Sequence, residues 1–467
     1  MEKRFKATLL RTGAGPVGRT LSLTVSSAHH SFKMFPTDYD LGIGTFSIET
    51  IHFDASVLAD YLTPNIACCI LILLPIFRFL NVFSYTEPPT ITLNPNAKQK
   101  DDGKILLKEV LSNCPILYQK YNPPTLYGRN GHIMTAIYGM LSHSSLSKYK
   151  YDKRHAVILE DGATITFDVF EPSNERLNGD YTIALAPGIC NWSSSNYIKT
   201  LVSYARRHGF RCVCLNHLGA DPTVPLTAPR IFSYGSTEEL SAMYQKMMEL
   251  YPQTKFISVG FSMGANLTTL YLSSVPPESQ SRFLLGLSVC QGYNVANIPH
   301  FHSWSGGKRV YSMVIAENVK RVLRRHYDTA VLPHVRSGLV DKRRLFAATS
   351  MIGIDEQYNR RVQGFKSLGE LYYASSSIHK ITDIEIPTIF LNSADDPIIP
   401  ENCYRPVEEL CGGHKRHAFI RLKHGGHLGF LEGWSLKPNS CTWLDRFVVE
   451  LANAAVASYE SSVVNKD

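Results

Sequence analysis

A serine flanked by two glycines is the residue pattern with the clearest chemistry: GFSMG, at positions 260–264. The apolar run KFISV precedes it and ANLTTLYLSS follows it, so the sequence predicts a strand, a tight turn and a helix. The turn is strained, and its glycines let neighbouring backbone approach without a Cβ. Ser262 then lies at a helix N-terminus, where N–H groups stabilise a developing oxyanion. The pattern indicates a nucleophile; an ordinary surface serine in a glycine-rich turn is the alternative.

A serine hydroxyl is a weak nucleophile at neutral pH and needs a base. After such a turn, the acid and then the histidine follow in chain order. The segment IPTIFLNSADDPIIP supplies Asp395 and Asp396, and LKHGGHLGF supplies His424 and His427. We predict Asp396, which lies further out on its loop, and His427, which lies in a flexible glycine-rich loop. Asp395 and His424, nearer the strands, are the alternatives.

Two backbone N–H groups are needed for the oxyanion of an ester reaction. One is predicted at Met263, directly after the nucleophile, and the other at Ile189 in the segment APGIC (186–190), which follows an earlier apolar run. The ten cysteines form no CxxC pair, so a zinc site is not expected. The predicted site has no metal and no cofactor.

The elements that must position these residues alternate along the chain. Short apolar runs are followed by loops and helical stretches, which is typical of an α/β fold with a mostly parallel sheet covered on both faces. In such sheets the site forms at the carboxyl ends of the strands. Residues 155–171 predict a hairpin with Asp161-Gly162 as its turn.

The predicted domain covers residues 105–458 and is followed by a tail at 459–467. Residues 293–380 break the alternation, because they have helical spacing, many aromatic and basic residues and no strand signal. The simplest interpretation is a helical cap, inserted after a late strand and lying over the site.

The N-terminal region differs from the rest. Residues 1–55 have no sustained period and predict a disordered arm, with a targeting arm as the alternative. Residues 56–83 are predicted to be a transmembrane anchor, because the run 61–77 has no charged residue and about 20 apolar residues cross a bilayer. A buried core helix is the alternative. The Pro-rich segment 84–104 is predicted to be a linker.

The net charge of +8 comes from scattered basic residues, without a basic stripe or zinc-finger spacing. This pattern argues against a nucleic-acid surface and is compatible with mild attraction to anionic lipids. With 44% hydrophobic and 19% charged residues, the chain can form a globular core.

Several segments together resemble the α/β-hydrolase domain-containing proteins 1, 2 and 3, over about residues 57–455. They are GHIMTAIYG (131–139), APGICN, LNHLGA (215–220), VGFSMGAN, SVCQGYN, LNSADDP and HGGHLGFLEGW. The resemblance implies an α/β-hydrolase fold with a mostly parallel eight-stranded sheet, a helical cap and an N-terminal transmembrane helix. The N-terminal 1–55 segment departs from the subgroup's pattern.

The same resemblance implies the function. It indicates a single-pass membrane lipase that hydrolyses monoacylglycerols, with acetyl esters and triacylglycerols as further substrates, and it assigns the triad to Ser262, Asp396 and His427. The implied partners are the lipid ester, the bilayer and a steroid ligand. Two other functions stay open: a lipid- or steroid-binding membrane receptor on the same fold, and an acyltransferase that uses the same triad.

Overall fold

The computed structural model describes residues 6–9, 23–26, 50–51, 64–97, 104–140, 150–173, 180–298, 306–434 and 438–464. The strands are β1 Lys6–Leu9, β2 Leu23–Ser26, β3 Thr50–Ile51, β4 Thr90–Leu93, β5 Lys153–Ile158, β6 Thr164–Phe170, β7 Tyr181–Ala186, β8 Arg211–Asn216, β9 Lys255–Phe261, β10 Phe283–Val289, β11 Thr388–Ser393 and β12 His417–Leu422. The helices are α1 Pro64–Leu80, α2 Leu107–Ser112, α3 Gly131–Met140, α4 Asn196–Arg207, α5 Glu238–Leu250, α6 Met263–Leu272, α7 Pro277–Gln280, α8 Gly306–Arg325, α9 Leu332–Arg336, α10 Lys342–Ala347, α11 Met351–Ile354, α12 Arg360–Val362, α13 Leu368–Ser375, α14 Glu401–Gly413 and α15 Trp443–Val464.

The chain forms two compact units, residues 1–79 and 80–467. In the first unit, β1 lies between β2 and β3 in a small antiparallel sheet. The rest of the predicted disordered arm lies outside the described residues. Helix α1 forms from the apolar run of the predicted anchor and contains Pro75. None of the helices in the described ranges combines the length and the apolar character needed to cross a bilayer.

The second unit is built on one large sheet with the strand order β4-β12-β11-β10-β9-β7-β8-β6-β5. The six strands from β12 to β8 run parallel, and crossover connections between them return the chain to the same end of the sheet. The strands β4, β6 and β5 pair antiparallel at the two sides. The α/β class, the mostly parallel sheet and the hairpin at 155–171 are thus confirmed.

The sheet has nine strands in the described part of the chain, so the expectation of eight is wrong. The additional strand, β4, comes from the segment predicted to be a linker, where Ile91 pairs with Ile420 at the sheet edge. Pro88, Pro89 and Pro95 suggested a linker, but they flank the strand and remove none of its hydrogen bonds. An edge strand pairs on one side only and tolerates such neighbours.

Both faces of the sheet are covered, as the alternating side chains of β8 illustrate. Cys212 and Cys214 point into a core with α2, α4 and α15. Val213 and Leu215 point into another core with α5 and α6. The final helix α15 runs to Val464, past the predicted domain end at 458, because its sequence has no Gly or Pro to stop it.

Between β10 and β11, the described residues form helices and turns and no strand. This stretch contains α8 to α13 and lies in the region predicted to be a cap. Its inner residues, such as Leu323 of α8 and Leu371 of α13, are buried in the same core as Met243 of α5. The cap is therefore packed on one face of the sheet.

A buried charge network joins the hairpin to the loop after β7. Asp168 of β6 is fully buried and accepts hydrogen bonds from Arg154 Nε (2.6 Å) and from the Ser193 hydroxyl. Asn216 at the end of β8 donates to the same carboxylate (3.2 Å) and accepts from the N–H of Ser193 (2.9 Å). Because a buried charge without a partner is strongly unfavourable, the guanidinium of Arg154 stabilises this corner.

Replacing Arg154 with Met should leave the Asp168 carboxylate buried without its cation. We expect a loss of about 3–5 kcal/mol in the free energy of unfolding, measured by urea denaturation. The matched control is Arg405→Met, which removes an exposed pair with Glu401 and should change stability by less than about 1 kcal/mol. Equal stability of the two variants would contradict the role given to Arg154.

Candidate active site

Ser262 lies on a strained turn between β9 and α6. Its backbone has φ of +52° and ψ of −114°, a conformation that side-chain-bearing residues rarely adopt. A Cβ on Gly260 would overlap the backbone of Gly264, and a Cβ on Gly264 would overlap the carbonyl oxygen of Ala186. The two glycines are therefore required by packing, and the turn points the Ser262 hydroxyl out of the carboxyl edge of the sheet.

The structure brings together the three residues that the sequence pointed to. His427 Nε2 lies 2.9 Å from Ser262 Oγ, and His427 Nδ1 lies 2.8 Å from Asp396 Oδ2. The other oxygen of Asp396 accepts the N–H groups of Ile398 (2.8 Å) and Ile399 (3.0 Å), so this buried carboxylate is held in one orientation. With Nδ1–H donating to Asp396, the lone pair of Nε2 faces the serine hydroxyl.

The alternative residues Asp395 and His424 pair with each other. His424 Nδ1 lies 3.3 Å from Asp395 Oδ2, and His424 Nε2 lies 3.0 Å from Ser84 Oγ. Asp395 Oδ1 accepts the N–H of Gly426 at 2.8 Å. Within the described ranges no hydrogen bond joins either residue to Ser262. The structure therefore places this pair beside the hydrogen-bonded series of Ser262, His427 and Asp396, and not within it.

The predicted oxyanion donors lie on either side of Ser262. Met263 is the first residue of α6, so its N–H has no acceptor within the helix. The segment with Ile189 approaches closely: a Cβ on Gly188 would lie 3.6 Å from the Cβ of Ser262. Asn191 Nδ2 donates to the carbonyl of Ile189 at 2.8 Å and so helps to orient this peptide. The role of the two N–H groups stays a prediction.

A cavity of about 210 Å³ opens at Ser262 and His427. Two amide side chains of the lining have protein partners: Asn266 Nδ2 donates to the carbonyl oxygens of Tyr234 (2.8 Å) and Ser375 (2.7 Å), and Asn191 Nδ2 donates to that of Ile189 (2.8 Å). The apolar lining comes from both the sheet loops and the cap: Ile189, Val295, Ile298, Ile315, Met351, Ile398, Ile399 and Leu428. The cavity thus suits a hydrocarbon chain.

A larger surface groove of about 860 Å³, beside β5, contains none of the predicted site residues.

Sequence reasoning missed three residues that hold this geometry. The Thr135 hydroxyl of α3 accepts the N–H of His427 at 2.8 Å. The Tyr197 hydroxyl accepts the N–H of Gly188 at 2.8 Å. His217 Nε2 donates to the carbonyl of Pro187 at 2.7 Å, and burial lowers the pKa of His217 to about 4, which keeps it neutral. Thr135 and His217 lie in two of the segments that resemble the α/β-hydrolase domain-containing proteins, and this resemblance could have indicated them. No rule of residue spacing connects either of them to the site.

One thiol also lies at the site. Ligand atoms of Cys290, Asp396 and His427 lie within 4.8 Å of one another, which is a possible arrangement for a metal ion. Both ring nitrogens of His427 and both oxygens of Asp396 already have partners. Burial raises the pKa of the Cys290 thiol well above its usual value, and the nearby Asp396 raises it further. The donor set is therefore poorly suited to a metal, and the absence of one stays a prediction.

The Cys290 thiol should be unreactive in the folded protein. Its burial hides the sulfur and its raised pKa keeps it protonated, and the thiolate is the reactive form. Iodoacetamide treatment followed by mass spectrometry should leave Cys290 largely unmodified in the native protein and modify it readily in denaturant. Modification of Cys290 in the native protein at the rate seen in denaturant would contradict its buried placement.

Comparison with known proteins agrees with the observed fold. The family model described as alpha/beta hydrolase fold matches residues 181–433. The mouse protein named "Monoacylglycerol lipase ABHD2" is 38% identical over 396 residues, which are 84% of this chain and 91% of that protein. The Drosophila melanogaster "Abhydrolase domain-containing protein 2" is 37% identical over 82% of this chain and 95% of its own length. Mouse "Phospholipase ABHD3" is 24% identical over 76% of this chain and 83% of its own length.

Proposed function

This chain belongs to the α/β-hydrolase family and is a carboxylic ester hydrolase, and we propose that it is a serine lipase that hydrolyses monoacylglycerols. The observation that carries the proposal is the hydrogen-bonded series Asp396–His427–Ser262 at one apolar cavity. A binding protein would not require this series of contacts, so the geometry favours an enzyme over a receptor. The names of the relatives support the choice of lipid ester.

The mechanism follows from the contacts. Ser262 Oγ attacks the ester carbonyl carbon while His427 Nε2 takes the proton of the Ser262 hydroxyl. Asp396 keeps the Nδ1–H tautomer and stabilises the imidazolium that forms. The N–H groups of Ile189 and Met263 stabilise the oxyanion, and loss of one such donor slows the chemical step by roughly 10²–10³.

The tetrahedral intermediate collapses when His427 gives its proton to the glycerol oxygen, and the C–O bond of the ester breaks. The acyl group stays on Ser262 Oγ. Water then gives a proton to His427 and attacks the acyl carbon. His427 returns that proton to Ser262 Oγ as the bond between this oxygen and the acyl carbon breaks, which releases the fatty acid and restores the serine hydroxyl. An acyltransferase would use an alcohol in place of this water, so free fatty acid as the main product supports hydrolysis.

The substrate assignment rests on the apolar lining of the cavity and on the names of the relatives. One apolar cavity suits one acyl chain, and each methylene buried there contributes about 0.8 kcal/mol to binding. Esters with one acyl chain, such as monoacylglycerols, fit this arrangement best. Acetyl esters use less of the apolar lining, and triacylglycerols carry two further chains, so both are proposed as secondary substrates. The steroid ligand stays a prediction.

Ser262→Ala should abolish catalysis without unfolding the protein. We expect the release of fatty acid from monoacylglycerols to fall by about 10⁴-fold or more, because the nucleophile is lost. Labelling by a fluorophosphonate probe should vanish as well. The matched control is Ser274→Ala, an exposed serine just beyond the same helix, which should keep both activities. A Ser262→Ala protein that still hydrolyses the ester at the native rate would refute the proposal.

We propose further that segment 56–83 attaches the protein to a membrane in a single pass. The support is the uncharged apolar run, and a membrane would bring lipid esters to the enzyme. Full-length protein should remain with membranes in alkaline carbonate. The double variant Leu71→Lys, Leu74→Lys should be released, because each lysine costs about 2.5–3.5 kcal/mol in a bilayer. The control Val463→Lys, Val464→Lys should stay bound, and release of the native protein would contradict the proposal.

A further inference from the structure

Beside the proposed triad lies a second series of a serine, a histidine and an aspartate: Ser84, His424 and Asp395. We propose that Asp395 and His424 are positioning residues, which hold the loop with Asp396 against the loop with His427. Ser84 is proposed to lock this pair in place from the segment before β4. The inference rests on the proposed function, because it concerns the geometry of the same reaction.

Asp395 joins the two loops at the residues next to the triad. It directly precedes Asp396, and its Oδ1 accepts the N–H of Gly426, which directly precedes His427, at 2.8 Å. The Ser393 hydroxyl donates to the carbonyl of Gly426 at 2.8 Å, so the same peptide region is held from both sides. A shift of Asp395 would therefore move both the acid and the base.

The space around this junction leaves no room for adjustment. A Cβ on Gly131 would overlap the carbonyl of Asp395, and a Cβ on Gly426 would lie 2.8 Å from the carbonyl oxygen of Gly131. The first turn of α3 thus lies directly against both loops, and Thr135 of this helix holds the His427 N–H. Catalytic groups need placement within about 0.5 Å, which such packing provides.

The second series has the contacts of a triad but not its surroundings. The His424 side chain is only 4% exposed, and Ser84 does not line the cavity that contains Ser262. Ser84 lies in an irregular segment and not at the start of a helix, so it has no helical N–H groups for an oxyanion. Its hydroxyl is suited to fix the orientation of the His424 ring, which in turn fixes Asp395.

Substitutions at Asp395 test the proposal. Asp395→Ala removes the acceptor for Gly426 and should lower kcat by about 10²-fold, as expected for a misplacement of about 1 Å, with KM within about twofold. Asp395→Asn keeps an oxygen that can accept from Gly426 and should recover most of kcat. Ser84→Ala, which removes only the outer contact, should lower kcat by less than about tenfold.

The matched control is Asp445→Ala. Asp445 is another buried carboxylate, and it accepts from the N–H and the hydroxyl of Thr442 (both 2.9 Å) at the start of α15. It should lose stability with an unchanged kcat. If Asp395→Ala keeps the native kcat, or if Asp395→Asn recovers nothing beyond the alanine variant, the inference is wrong. A native protein without fluorophosphonate labelling at Ser262 would instead overturn the proposed function itself.

Discussion

The hydrogen bond between His427 Nε2 and Ser262 Oγ is the contact on which the rest of the site depends. It joins side chains 165 residues apart in the chain, so several elements must meet at one edge of the sheet. Strand β9 positions Ser262, and the loops after β11 and β12 position Asp396 and His427. The strained backbone at Ser262 is stable only because Gly260 and Gly264 allow α6 to pack closely beneath it.

Around that contact, the hydrogen-bonded polar side chains and the apolar lining of the cavity lie in separate places. The carboxylate of Asp396 is buried and held by backbone N–H groups, so it remains an acceptor for His427. The cavity next to it is lined by hydrocarbon, and the polar side chain of Asn266 is turned to carbonyl groups of the protein. The cap helices supply Ile315 and Met351 to this lining, so the cap contributes to what the cavity can bind.

The sequence was sufficient for the features that depend on local patterns. Apolar runs predicted the parallel sheet, and the glycines around Ser262 predicted the tight turn. The edge strand at Thr90–Leu93 was missed, because its flanking prolines are equally common in linkers. Its pairing with β12 depends on contacts between segments more than 300 residues apart, which no local pattern records.

Local sequence patterns also could not identify every residue of the site. Two aspartates are adjacent at 395 and 396, and two histidines lie at 424 and 427, so spacing could favour one of each but could not decide between them. In the structure they form two separate pairs, because neighbouring side chains on a loop point in different directions. Thr135 and His217 contact the site from other elements and have no signal in the spacing of the motif.

The most direct test of the account is to trap the acyl group on the enzyme. The protein is mixed with a slowly turned-over activated ester, quenched in acid, digested and mapped by mass spectrometry. The account predicts an acyl group on the peptide with Ser262, and none there when His427 is replaced by alanine. Hydrolysis that continues with the acyl group on another residue, or without an acyl-enzyme, would contradict it.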